Sequence, residues 1–206
     1  MRVLSRDLLY VSTSLLAILL AAGSAEAAVC GDDVEGERVA CGCGDVAVSD
    51  TKLAPEDPVI QTRCLSDGLL IRAAREATSI RLDLAGLSIV GLGVGTGIQV
   101  IYGGSEGAVI IGGPEGKAGT VSGFRTGLRG HGQRSVAELR NLILKGNEAD
   151  GLVLRGDGTR IVDVIAESNG RDGLRLGGRG AELQNSHGIV NRRHDVRVTG
   201  AKGSSR

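Results

Sequence analysis

Asp150 and Asp172 are the residues of this 206-residue chain best placed to do chemistry; they stand 22 residues apart and each is followed by Gly. If the chain stacks so that equivalent positions lie one above the other, their carboxylates sit about 5 Å apart, near the acid/nucleophile spacing of retaining glycosidases. The same oxygens could ligate calcium, a cation that takes carboxylate ligands. The column continues imperfectly, with His194 in strict register and Asp195 one residue beyond it. Ordinary turn chemistry competes with both readings, because an Asp before Gly hydrogen-bonds local backbone N–H groups. We favour the turn, keep catalysis and calcium as alternatives, and expect no other cofactor.

What must position these carboxylates is a repeat. Asn147, Asn169 and Asn191 are spaced by 22 residues and open the phrases NEADGLVL, NGRDGLRL and NRRHDVRV. GFRTGLRG from Gly123 and GVGTGIQV from Gly93 fit the same frame, with Gly in place of Asn. A fixed period near 20 residues marks an array of stacked units. Gly and Asn both tolerate φ > 0, so the shared position is expected to be a left-handed corner between strands. The asparagine amides are expected to bond from unit to unit as a structural ladder.

Alternation with period two flanks that corner. Leu139, Leu142 and Leu144 recur as Ile161, Val164 and Ala166, and Leu152 with Leu154 recurs as Leu174 with Leu176, then Val196 with Val198. These positions are expected inward, with Val153, Arg175 and Arg197 outward. Strand, corner, strand and Gly-rich turn at about 22 residues describe an all-β parallel β-helix. A leucine-rich repeat would need an apolar residue two places past the Asn, where Ala149, Arg171 and Arg193 stand, and a helical return that glycine pairs oppose. The Gly-rich segment 112–119 lengthens one unit and is expected to leave the body as a surface loop.

The stretches CGCGDVAVSDTKLAPEDPVIQTRCLSDGLLIRA, IRLDLAGLSIVGLGVGTGIQV and VSGFRTGLRG, with the N-x-x-D-G-L-x-L copies, resemble the bacterial right-handed parallel β-helix proteins of the pectin-lyase-like superfamily. The resemblance spans Cys41 to Val198. It implies a right-handed coil and a carbohydrate-binding or sugar-hydrolase type of module. It assigns no activity, because that superfamily contains lyases, hydrolases and exported proteins without catalysis.

Residues 1–27 read as a secretory leader, with Arg2 and Arg6 ahead of an apolar run and Ala25-Glu26-Ala27 as cleavage site. No membrane span is expected after its removal, and the expected location is secreted, periplasmic or at the cell envelope. Cys30, Cys41, Cys43 and Cys64 follow; an even number in an exported chain reads as two disulfides. Three connectivities are open, of which Cys30–Cys41 with Cys43–Cys64 is favoured. No histidine or second cysteine pair supports a metal site. The organisation expected is a leader (1–27), a disulfide-bonded cap (28–64) packed over the first unit, the β-helix (65–198) and a polar tail (199–206).

Charge is uneven: Ala28 to Cys64 carries eight acids and three bases, Thr120 to Arg206 nine acids and 15 bases. Only Tyr102 and Phe124 are aromatic after the leader, and there is no Trp. That scarcity counts against both a sugar site and single-stranded nucleic acid, each of which stacks on aromatic faces. The function expected is therefore an exported structural or binding protein, its partner a polysaccharide or another envelope protein. A polysaccharide lyase or glycoside hydrolase is the alternative. The degraded last unit, with Ser186 and Gly188 where Leu142 and Leu144 stood, also suggests either end-to-end self-association or a chain truncated from a longer gene product.

Overall fold

The computed structural model describes residues 27–72, 79–101, 107–132 and 136–199. The leader, apart from Ala27, and the tail beyond Thr199 lie outside the described residues, as does Tyr102. The early elements are β1 (Val29–Val34), β2 (Glu37–Val39), β3 (Asp45–Ala47), β4 (Thr51–Lys52), α1 (Pro58–Gln61), β5 (Arg63–Cys64), β6 (Leu69–Ile71), β7 (Arg81–Asp83), β8 (Ser88–Gly91) and β9 (Thr96–Ile101). There follow β10 (Ala108–Ile111), β11 (Gly119–Ser122), β12 (Thr126–His131), β13 (Val136–Lys145), β14 (Leu152–Arg155) and β15 (Arg160–Glu167). The last are β16 (Asp172–Gly177), β17 (Glu182–Gln184), β18 (His187–Ile189) and β19 (His194–Thr199).

The fold is nearly all β, in two sheets. One runs β19-β16-β14-β12-β9-β6-β3-β1-β2, and the other carries β4, β7, β10, β13 and β15 with β5, β8, β11, β17 and β18. Every pairing is parallel except β1 with β2, which is antiparallel. Leu152 pairs with Leu174 and Leu174 with Val196, so the 22-residue period of the sequence is the register of the sheet.

The core forms where that register stacks apolar positions of both sheets. Leu139, Leu142, Leu144, Leu152, Leu174, Ile161, Val164 and Ala166 are wholly buried. Val153 stands in an outward column yet is buried, with Arg129 and Arg175 flanking it in register. Val196 and Val198 occupy core columns, but no described strand lies beyond β19, so they remain 41% and 48% exposed.

The structure holds Cys30–Cys41 and Cys43–Cys64 disulfides, and no cysteine is free. Two such bonds indicate an oxidising, non-cytoplasmic setting. Among the described residues no helix is long and apolar enough to cross a membrane. The segment between Cys43 and Cys64 does not simply lie over the first unit. Its strands β3, β4 and β5 are themselves parallel rungs, pairing with β6, β7 and β8. What closes that end is β2, whose Arg38 donates to both oxygens of buried Asp57 at 3.0 and 2.9 Å.

The corner assignment needs correction. Asn147, Asn169 and Asn191 are not left-handed; the positive φ falls one residue earlier, at Gly146 (58°), Ser168 (54°) and Val190 (54°). Gly123 (69°) matches Gly146, and Phe124, not Gly123, stands opposite Asn147, donating its N–H to Asn147 Oδ1. The bend belongs to the preceding residue, which frees each Asn to turn its amide into the core. A second left-handed column, unforeseen, runs through Ala85, Asn141, Asp163 and Asn185.

Candidate functional site

The asparagine ladder is a continuous chain of hydrogen bonds. Asn147 donates its backbone N–H (3.1 Å) and its Nδ2 (2.9 Å) to Asn169 Oδ1. Asn169 repeats both bonds to Asn191 Oδ1, at 3.0 and 2.9 Å. The free amide hydrogens of Asn169 and Asn191 go to the carbonyls of Leu144 and Ala166. Asn147 and Asn169 are buried, so the ladder supplies partners to backbone groups that water does not reach.

Beside it runs the carboxylate column. Asp172 donates its N–H to Asp150 Oδ1 at 3.1 Å, confirming that the two occupy equivalent places on neighbouring rungs. Both are buried. Arginines one rung on approach each in the same way: Arg175 Nη1 lies 4.0 Å from Asp150 Oδ2, and Arg197 Nη1 3.8 Å from Asp172 Oδ2. Arg171 Nε is 4.0 Å from Asp150 Oδ1, and His194 Nδ1 hydrogen-bonds Asp172 Oδ1 at 2.8 Å. Burial by itself pushes the Asp172 pKa up, but the His194 hydrogen bond, then the charges of His194, Arg193 and Arg197, outweigh it and hold the carboxyl below its ordinary value.

That electrostatics is the reverse of what a general acid needs, which is a raised pKa. The column stores two anions against cations of the following rungs. Oδ1 of each carboxylate is already bonded, to the Asp172 N–H and to His194, and Oδ2 of each faces an arginine, whose charge opposes a calcium ion there. Among the described residues no group of three His, Cys, Asp or Glu side chains is placed to hold a metal.

A different place gathers reactive side chains. On the sheet of β7, β10, β13 and β15 a groove of about 890 Å³ is lined by Lys52, Arg81, Asp83, Arg140, Asn141 and Asp163. Its floor is an outward column in which Lys52 pairs with Asp83, Asp83 with Ile111 and Ile111 with Arg140. One wall is the 112–119 loop, where Pro114, Glu115, Gly116 and Lys117 are exposed. Asn141 anchors that wall by donating Nδ2 to the carbonyls of Gly113 and Pro114 at 2.9 and 2.6 Å. The left-handed column at Ala85, Asn141 and Asp163 forms the groove's edge, so each of these side chains turns toward it.

The groove brings three bases and three acids (Asp83, Glu115, Asp163) to one surface. Arg140 also bonds Glu138 within its own strand. Such a lining can hydrogen-bond hydroxyl and carboxylate groups along an extended polymer, and it offers no aromatic ring. The sequence pointed to Asp150 and Asp172, which lie on the other sheet and take no part in the groove. No family model matches the chain, and no curated protein or solved structure resembles it significantly.

Proposed function

We propose that the chain is a right-handed parallel β-helix of the pectin-lyase-like kind, exported to the cell envelope or beyond, and that it holds a polysaccharide in the groove over β7, β10 and β13. The groove carries the reading: an open trough crossing several parallel rungs, lined by alternating cations, carboxylates and an amide, suits a chain of hydroxylated units. The parallel register and the Asn ladder support the coil. Binding is favoured over catalysis because an arginine of the next rung stands against each of Asp150 and Asp172, and the Asp172 carboxyl is held below its ordinary pKa.

A lyase or hydrolase is the second reading, and one observation favours it: Asp83 and Asp163 share the groove with Arg81 and Arg140. The test is incubation of the purified protein with a panel of neutral and acidic polysaccharides, measuring binding and new reducing or unsaturated ends. Binding without new ends supports the first reading, new ends the second; neither outcome from any polysaccharide would overturn both.

The structural side of the role rests on the last rung. Ile189, Val190, Val196 and Val198 are 41–78% exposed there, and β19 offers an unpaired edge among the described residues. An exposed edge templates pairing with another chain. Head-to-tail contact would set Arg192, Arg193 and Arg197 against Asp32, Asp33 and Glu37 of a second copy. Light scattering should show association that weakens with salt; a concentration-independent monomer would contradict it.

A further inference from the structure

From β9 to β19 the outer face of the other sheet carries cations in its strand columns and no acid. Two of its outward columns run in register: Gln99, Arg129, Val153, Arg175 and Arg197, and beside them Ile101, His131, Arg155, Gly177 and Thr199. Neither column contains an acid. The carboxylates beneath, Asp150 and Asp172, are buried, whereas Arg155 and His131 are exposed and the side chains of Arg175 and Arg197 are 28% and 36% exposed. The columns therefore present cations outward over buried acids; the half-exposed Asp157, beside Gly178, is paired with Arg179 at 3.7 Å.

Between them the surface dips. A depression of about 340 Å³ is lined by Arg155 and Arg175, with Gly177, Gly178 and Thr199 at its lower edge. It exists because Gly177 interrupts a column that carries Arg155 on one side and Thr199 on the other. The glycine is not demanded by the backbone: its φ is not left-handed, and a Cβ there would meet nothing closer than Thr199 Oγ1 at 3.4 Å. A side chain would fit; its absence leaves room for something else.

We infer that this face is a binding surface for an extended anionic glycan, with one sulfate or carboxylate seated between Arg155 and Arg175 over Gly177. Guanidinium groups take such oxyanions through paired hydrogen bonds. Rungs follow one another at about 5 Å, close to the length of one sugar unit, so successive arginines can follow a charged chain. Nucleic acid fits less well. Phe124, the one aromatic among the described residues, is wholly buried and offers no face for a base. The inference stands apart from the groove, which lies on the opposite sheet.

The experiment titrates the protein at low salt with dextran, carboxymethyl-dextran, dextran sulfate and an oligothymidylate. Both charged dextrans should bind more tightly than plain dextran, and increasingly weakly as salt is added. Arg155→Glu and Gly177→Leu should each lower the affinity roughly tenfold or more, since a hydrogen bond to a charged group is lost. Unchanged circular dichroism of Gly177→Leu shows that the depression, not the fold, was altered. Arg63→Gln, exposed on β5 and outside both the groove and the depression, should leave the affinity for the charged dextrans unchanged. The inference is overturned if neither charged dextran binds, if plain dextran binds equally, or if oligothymidylate binds as tightly as the glycans. It also fails if Arg155→Glu and Gly177→Leu bind like the parent, or if Arg63→Gln weakens binding as much as they do.

Discussion

Asp195 does for Asn191 what Asn191 does for Asn169: its Oδ1 accepts both the backbone N–H, at 3.1 Å, and the side-chain amide, at 2.9 Å. The last asparagine has no further asparagine to face, and a carboxylate four residues on takes that place. Its displacement by one residue from the Asp150–Asp172 column serves this contact. The Asn191 side-chain and then backbone hydrogen bonds hold the Asp195 carboxyl below its ordinary pKa. Asp195→Asn keeps the acceptor and should preserve hydrogen-exchange protection of the Asn191 amide; Asp195→Ala should abolish it. Equal protection in the two variants would show that Asp195 does not terminate the ladder.

Asn169→Leu should cost far more stability than Glu167→Leu. Leucine leaves the Asn147 N–H and amide without an acceptor in a buried place, at about 1–3 kcal/mol for each stranded group. Among the described residues Glu167 makes no side-chain hydrogen bond, and its replacement should fall within about 0.5 kcal/mol. Denaturant midpoints measure the difference, and coincident midpoints would contradict the ladder's role.

Val190 carries avoidable strain. It has φ 54° and is 78% exposed, so its side chain gains little from packing. A left-handed conformation costs about 1–2 kcal/mol in an ordinary residue and more readily suits Asn. Val190→Asn should therefore raise stability by about 1 kcal/mol in a thermal melt. A lowered melting temperature would count against the corner.

Asp172 should govern part of the acid response. Its folded pKa is lowered, so its charge stabilises the fold above the ordinary carboxyl range near pH 4, and that contribution is lost as pH falls through the lower folded value. The stability gap between the parent and Asp172→Asn should shrink as denaturation is repeated from about pH 6 down to about pH 3. A gap constant across that range would show that the charge itself contributes nothing.

The strand register and the amide ladder were legible because Asn147, Asn169 and Asn191 keep one spacing and one residue type. The corner was misplaced by one because the bend falls on Gly146, Ser168 and Val190, which share no chemistry. The second corner did carry a signal, since Asn141, Asp163 and Asn185 repeat at 22 residues, but no phrase surrounds them. The groove was hidden for another reason. Its column partners Lys52, Asp83, Ile111 and Arg140 are separated by 31, 28 and 29 residues, so the early rungs have no fixed period to read. Asp150 and Asp172 were rightly placed together, but only the following rungs reveal their cations.

The groove is the centre of the account, and the double substitution Arg81→Gln with Arg140→Gln tests it most directly. Titration calorimetry would compare parent and variant against the polysaccharide that the parent binds best in the panel other than a charged dextran. The account predicts a loss of roughly tenfold or more, from two charged hydrogen-bonding partners removed, with unchanged circular dichroism. An affinity equal to the parent's would contradict the assignment of the groove as the binding site.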